Sequence, residues 1–109
     1  MIKDIISLEA ERLEWSLLTF TDATPLSSLK KLRSEIKEVI KELPIAELPD
    51  ANLDHISEEY ADCLMCLFDS AARLGILPND IFKAFELKLA KNKARVWKKN
   101  DNNTYSHVK

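Results

Sequence analysis

The fold is decided by residues 59–72, which read EYADCLMCLFDSAA and are apolar at most positions. The run holds no Gly or Pro, and its Leu, Met and Ala residues favour an α-helix. A helix that is apolar nearly all round must be buried on most faces. Two acids, Glu59 and Asp62, nevertheless lie one helical turn apart within it, and a buried unpaired carboxylate is costly. The stretch therefore predicts a buried helix whose acids need ion partners or a metal.

Two helices are predicted before this stretch. The first should run from about Asp4 to Leu18. Thr24 followed by Pro25 is typical of a helix start, because Thr caps the first turn and Pro fits it. The apolar residues of this second helix recur at steps of three and four: Leu29, Leu32, Ile36, Val39, Ile40 and Leu43. This spacing predicts an amphipathic helix, followed by a loop between Pro44 and Pro49.

The third helix should be capped by Asp50 or Asp54 and end at Gly75, and Pro78 should open a fourth. One glycine and four prolines leave little turn chemistry for hairpins. We predict an all-α protein, a four-helix bundle in one domain, residues 1–99, with a polar flexible tail, residues 100–109. Because a chain of 109 residues buries limited surface, we expect oligomerisation to cover the apolar third helix.

Composition narrows the classes of partner and location. The net charge of -2 favours neither a nucleic-acid polymer nor a membrane surface. Most charged residues are acidic in 35–62 and basic in 83–99. This distribution suits a site that binds a metal and a polyanion together. No apolar run reaches the roughly 18 residues of a membrane span, and the start lacks a signal-peptide pattern, so we expect a cytoplasmic protein. Cys63 and Cys66 are interpreted as small core residues.

Four acids form the candidate metal site. Glu35 and Glu38 repeat the spacing of three that separates Glu59 and Asp62, so each pair shares one helix face. Side by side, the two helices would bring together four like charges, which cations would have to neutralise. Oxygen ligands favour magnesium, manganese or calcium, and no histidine follows these acids at the spacing that di-iron bundles use. The alternative is that the acids are solvated or paired with basic residues: Lys37, Lys41 or Arg73.

A basic segment follows on the fourth helix. It carries Lys88, Lys91, Asn92 and Arg95 on neighbouring faces, with Trp97 beyond. Lys and Arg can neutralise a triphosphate, and Asn can donate to phosphate or a base edge. The alternative is a solvated helix end favoured by the helix dipole.

These motifs together resemble the MazG-like all-α nucleotide pyrophosphohydrolases. The match rests on Glu35-Ile-Lys-Glu38 and Glu59-Tyr-Ala-Asp62, and the small dATP/dGTP diphosphohydrolase branch is the most similar. That branch shares further segments of this chain: Trp15-Ser16, Thr19-Phe20, 69–75 and 88–97. The chain departs from the family at Ser34, where a Glu is frequent, and at Lys31, where the branch often has His.

The resemblance implies hydrolysis of a nucleoside triphosphate, expected to be dATP or dGTP, to the monophosphate and pyrophosphate. Magnesium, with manganese as the alternative, would be held by four ligands: Glu35, Glu38, Glu59 and Asp62. Glu38 could instead be the general base. The expected substrate-binding residues are Lys88, Asn92, Arg95 and Trp15. Asp69 would orient the site from behind the ligands or pair with Arg73.

Two rival functions stay open at this point. The same scaffold could act on a pyrimidine nucleotide or on phosphoribosyl-ATP. The chain could also be a non-catalytic helical dimer that serves as an interaction module. The resemblance also implies a homodimer or homotetramer.

Overall fold

The computed structural model describes residues 4–109, so the first three residues of the predicted 1–99 domain lie outside it. Four helices account for most of the described residues, as predicted. In chain order the elements are α1 (Ile5–Thr19), α2 (Pro25–Ala46), α3 (Asp54–Arg73), α4 (Pro78–Lys93), β1 (Trp97–Lys99) and β2 (Tyr105–His107). No described helix combines the length and the apolar character needed to cross a bilayer.

Side-chain caps fix where the first two helices begin. The carboxylate of Asp4 accepts a hydrogen bond from the backbone N–H of Ser7 at 2.9 Å. Thr24 and Ser27 form a reciprocal capping box at the start of α2, where Pro25 is the first helical residue. These contacts satisfy N–H groups that have no partner inside a helix. The predicted starts of both helices are confirmed.

The end of α3 follows from the one glycine of the chain. Gly75 has φ +85°, a left-handed conformation that side chains disfavour. The N–H of Ile76 then donates to the carbonyl of Ala71, and that of Gly75 to Ala72, both at 2.9 Å. These two hydrogen bonds form the Schellman motif, which ends the helix where the sequence predicts.

The loop between α2 and α3 begins later in the chain than the sequence predicts. Pro44 lies inside the last turn of α2 instead of after the helix. Proline lacks only its own N–H, and the N–H of Glu47 still reaches the carbonyl of Leu43 at 2.9 Å. Neither predicted acid caps α3: Asp50 takes a left-handed turn conformation, and Asp54 is the first helical residue.

Helix α3 packs mainly against α2, and α1 also packs on α3. Hydrogen-bonded and ion-paired contacts join Ser28 to Asp69 and Glu42 to His55, so α2 and α3 run antiparallel. The prediction that α3 is buried on most faces is wrong for the single chain. Its buried residues are Ile56, Phe68, Asp69 and Ser70, whereas several large apolar residues stay exposed: Tyr60, Leu64, Met65 and Leu67.

A β-hairpin that the sequence did not predict follows α4. Strands β1 and β2 pair antiparallel, with Trp97 opposite His107 and Lys99 opposite Tyr105. The N–H of Asn100 donates to the carbonyl of Thr104 at 2.7 Å, and Asn103 adopts φ +63° in the turn. Asn tolerates this conformation without a glycine. The predicted tail therefore contains the turn and second strand of a hairpin.

The chain divides into two compact units, the first ending at Pro78 and the second spanning Asn79–Lys109. The first contains α1, α2 and α3. The second contains nearly all of α4 and the hairpin.

Candidate active site

The antiparallel pairing of α2 and α3 brings predicted metal ligands together. Carboxylate oxygens of Glu35, Glu59 and Asp62 all lie within 4.8 Å of one another. We call these three residues the acid cluster. Glu38 is exposed on α2 and is not part of it. The structure therefore joins three of the four predicted ligands and leaves Glu38 to one side.

Asp62 is not buried, although its apolar sequence neighbours predict that it would be. Glu35 and Glu59 are partly buried, whereas Asp62 is exposed. It lines a cavity, and the open space there gives its carboxylate access to water. The burial cost that singled out Asp62 in the sequence is therefore absent in this chain. The convergence of three carboxylates, and not burial, marks the site.

The acid cluster fits a hard divalent cation. All three donors are carboxylate oxygens, the ligand type that magnesium and manganese prefer. Burial raises the pKa of Glu59 above its ordinary value, and the nearby charge of Glu42 raises it further. A divalent cation would offset this crowding of negative charge.

A second group of potential ligands shares Glu59. It consists of Glu42, His55 and Glu59, whose ligand atoms also lie within 4.8 Å of one another. Nε2 of His55 is 2.8 Å from Oε1 of Glu42 and 3.6 Å from Oε1 of Glu59. The hydrogen bond with Glu42 raises the pKa of His55. Sequence analysis gave His55 no role, because its acidic partner on α2 is 13 residues away.

A cavity of about 450 Å³ opens beside the acid cluster, entirely within the first unit. Glu35 and Asp62 line it, so the acid cluster and the cavity form one candidate site. The other lining residues are Arg12, Trp15, Ser16, Phe20, Ala23, Ser27, Ser28, Lys31, Met65, Cys66 and Asp69. Such a volume lies within the range of small-molecule sites.

Trp15 lines this cavity, as its predicted role requires. The residue is 56% exposed, so it is not a core anchor in this chain. The rings of Trp15 and Phe20 meet edge to face, with centroids 5.2 Å apart and planes 85° apart. This contact orients the indole and leaves aromatic surface at the cavity wall. Phe20 belongs to the Thr19-Phe20 segment shared with the family, but the sequence analysis assigned it no role.

Asp69 is the centre of a buried polar network that lies against the cavity. One carboxylate oxygen accepts from Arg12 at 3.0 Å and from Ser16 at 2.8 Å. The other accepts from Ser28 at 2.7 Å and from Arg73 at 2.8 Å. The predicted pairing with Arg73 is thus present within α3, and the other three contacts tie α1 and α2 to α3.

The network keeps Asp69 ionised. Burial alone would raise the pKa of its carboxyl, but hydrogen bonds from Ser28, Arg73, Ser16 and Arg12 outweigh burial and hold the pKa well below its ordinary value. On α1, Arg12 also forms an ion pair with the buried Glu9. On α1 the sequence offered two signals of this network: the spacing of three between Glu9 and Arg12, and Ser16 in the Trp15-Ser16 motif.

The remaining predicted substrate residues lie in the second unit. Lys88 and Asn92 are on α4, and Arg95 follows it. Nη1 of Arg95 donates to Oδ1 of Asn92 at 3.1 Å, and the indole N–H of Trp97 donates to the carbonyl of Asn92 at 2.9 Å. Asn92 and Arg95 thus form a local pair, while their contact with a phosphate stays a prediction.

Comparison with known proteins places this architecture in the class of MazG-like pyrophosphohydrolases. A solved structure described as the cyanophage S-2L MazG-like pyrophosphohydrolase, bound to dGDP and three catalytic Mn²⁺ ions per active site, matches with a TM-score of 0.75 and 31% identity. The match covers 99% of this chain and 100% of that one. The predicted MazG-like all-α fold is confirmed.

Sequence comparisons narrow the class to one family. The dATP/dGTP diphosphohydrolase of cyanophage S-2L is 32% identical over 104 residues, covering 95% of this chain and 88% of that protein. A dATP/dGTP diphosphohydrolase of Salmonella phage PMBT28 is 35% identical over 94 residues, which are 86% of this chain but 28% of that protein. The dATP/dGTP pyrophosphohydrolase family model matches residues 8–109.

The chain belongs to the dATP/dGTP pyrophosphohydrolase family. It is therefore a metal-dependent nucleotide pyrophosphohydrolase, a hydrolase acting on acid anhydrides, as the sequence predicts. The interaction-module alternative is set aside by this membership.

Proposed function

We propose that this enzyme hydrolyses dATP or dGTP to the monophosphate and pyrophosphate in the cavity beside the acid cluster. The observation that carries the proposal is that Glu35 and Asp62 belong both to the acid cluster and to the wall of a cavity of about 450 Å³. One pocket thus offers carboxylates for a divalent cation and space for a nucleotide. The names of the two phage relatives favour a purine deoxynucleotide.

The base would lie against the aromatic wall. Trp15 presents its ring to the cavity, and Phe20 and Met65 add apolar surface. Stacking on an aromatic face stabilises any purine. Ser27 and Ser28 line the same cavity, but both hydroxyls already have partners: Ser28 donates to Asp69, and Ser27 donates to the carbonyl of Thr24.

Glu35, Glu59 and Asp62 would hold magnesium or manganese, with Glu38 as the predicted fourth ligand. When bound, such a cation neutralises phosphate charge and polarises the phosphorus–oxygen bonds. Glu38 follows Glu35 by one turn of α2 and lies outside the acid cluster, so we keep for it the alternative role of general base that the resemblance implies. In that role it would accept the proton of the water that attacks the α-phosphate.

Three predicted phosphate-binding residues stay part of the proposal: Lys88, Asn92 and Arg95. Lys88 and Arg95 would neutralise the triphosphate, and Asn92 would donate to it from its amide. These roles follow from the family resemblance. The single domain of residues 1–99 likewise stays a prediction.

A substrate panel tests the proposal. Pyrophosphate release would be measured for purine and pyrimidine triphosphates, deoxy and ribo, and for phosphoribosyl-ATP, with magnesium and then with manganese. We expect dATP and dGTP to be hydrolysed fastest and Asp62→Asn and Glu38→Gln to abolish turnover. Glu58→Gln is the matched control, because this acid next to Glu59 has a 79% exposed side chain and lies outside the acid cluster. Equal loss in the control, or faster pyrimidine hydrolysis, would contradict the proposal.

A homodimer or homotetramer is part of the proposal. Tyr60, Leu64 and Leu67 follow one another at helical spacing on α3 and are 56%, 44% and 47% exposed. A second copy that covers this stripe would give α3 the burial that its sequence predicts. Light scattering on the purified protein would give the mass, and Leu64→Glu should reduce it to that of a monomer. A monomeric wild type would contradict the predicted oligomer.

We also assign the enzyme to the cytoplasm, where nucleotide pools lie.

A further inference from the structure

Lys31 on α2 lies where the acid cluster meets the cavity. Its ammonium nitrogen is 3.1 Å from Oε1 of Glu35, and both residues line the cavity together with Asp62. Its side chain is 65% exposed, whereas that of Glu35 is 15% exposed. A flexible cation thus neutralises a carboxylate that the proposed function assigns to the metal.

The two cations among the cavity-lining residues differ in how they are held. The guanidinium of Arg12 is fixed by Glu9 and Asp69, and its side chain is 11% exposed. Lys31 has one ion-pair partner among the described residues, Glu35. Its four-carbon side chain can therefore change position without disrupting the packed network.

A divalent cation on Glu35 would compete with Lys31. Both are positive, and at separations of a few ångströms like charges repel. The ammonium must then find another anion, and in an occupied cavity the nearest new negative charge is the substrate's phosphate chain. Lysine is well suited to such an exchange, because its three donors form a compact charge without a fixed geometry.

We propose that Lys31 exchanges partners: it neutralises Glu35 when no metal is bound and contacts the phosphate oxygens when metal and nucleotide occupy the site. The exchange rests on the proposed function for its metal ligands and its nucleotide. It makes a distinctive prediction, since the same side chain opposes metal binding and supports nucleotide binding.

The test measures the two binding steps separately by calorimetry. Lys31→Met keeps most of the side-chain length and removes the charge, Lys31→Arg keeps the charge, and Lys30→Met is the matched control. Lys30 is the preceding residue of α2, is exposed and does not line the cavity. Circular dichroism would verify that each variant folds.

The first arm titrates Mn²⁺ alone. Lys31→Met should bind Mn²⁺ about 2- to 5-fold more tightly than wild type, the range expected from removing a competing exposed ion pair. Lys31→Arg and Lys30→Met should stay close to wild type. An unchanged or weaker affinity in Lys31→Met would overturn the inference without reference to any nucleotide.

The second arm titrates a non-hydrolysable dATP analogue, with a methylene group between the α- and β-phosphates, at saturating Mn²⁺. Lys31→Met should bind it roughly 10-fold more weakly or worse, as expected for losing a charge-assisted contact, and Lys31→Arg should restore most of the affinity. Equal affinity in Lys31→Met and Lys30→Met would overturn the exchange while leaving the proposed function intact. A wild type that binds Mn²⁺ but no nucleotide would overturn both.

Discussion

Asp69→Asn should destabilise the protein by removing the charge that holds three helices together. In the native network, Arg12 and Ser16 donate to one carboxylate oxygen, and Ser28 and Arg73 donate to the other. An asparagine offers one oxygen and one NH₂ group. Whichever way the amide turns, the NH₂ faces a serine, which can rotate and accept, and an arginine, which cannot.

The magnitude follows from the arginine that loses its partner. Removing one member of a buried ion pair costs roughly 3–5 kcal/mol. The low end applies, because both arginines keep other acceptors: Arg12 retains Glu9, and Arg73 retains the carbonyls of Ala23 and Phe20. For a domain of this size, ~3 kcal/mol lowers the melting temperature by roughly 12 °C or more.

Urea and thermal unfolding, followed by circular dichroism, measure this loss. Asp22→Asn is the matched control, because Asp22 is an exposed acid in the α1–α2 turn, and we expect a change within about 0.5 kcal/mol. If Asp69→Asn costs less than about 1 kcal/mol, Asp69 does not hold the helices together as the contacts indicate, and the reasoning fails.

Three further predictions concern pH, metal and backbone. Because the folded-state pKa of Asp69 is depressed, the stabilisation it provides is present above about pH 4 and is lost as the pH falls further. The difference in unfolding free energy between wild type and Asp69→Asn should therefore be smaller at about pH 3 than at pH 6. An equal difference at both pH values in urea titrations would contradict this. Adding Mn²⁺ should raise the melting temperature of the wild type and of the control Glu58→Gln, but hardly change that of Glu35→Gln or Asp62→Asn. Equal shifts in the wild type and the three variants would mean that the metal binds elsewhere. Gly75→Ala should cost about 1 kcal/mol because φ is +85° and not through a clash, since an added Cβ meets no atom within 4 Å; an unchanged urea midpoint would contradict it.

Sequence periodicity was sufficient for the helices because their determinants are local. Thr24 with Pro25 and the lone Gly75 are capping signals whose chemistry depends only on adjacent residues. The hairpin was missed for a related reason. Its strands are three residues long and polar, and its turn uses Asn103 in a left-handed conformation where a glycine would have been the recognisable signal.

The family and the identity of the acids could be read from the sequence, but their arrangement could not. The spacing of three shows that Glu35 and Glu38 share a face of one helix, and that Glu59 and Asp62 share a face of another. It does not show which helix packs against that face. Only the antiparallel packing of α2 on α3 shows that Glu35 joins Glu59 and Asp62 while Glu38 stays apart.

Sequence alone determined the helices, the four acids and the chemistry that their oxygen ligands favour, because these depend on residue type and on spacing within one helix. Tertiary structure decided what depends on neighbours far along the chain. It exposed Asp62 to a cavity, joined Glu35 to the acids of α3, and gave Asp69 three donors from other helices: Arg12, Ser16 and Ser28. Contacts between helices are set by packing, and residues 40 to 60 positions apart carry no local signal of their meeting.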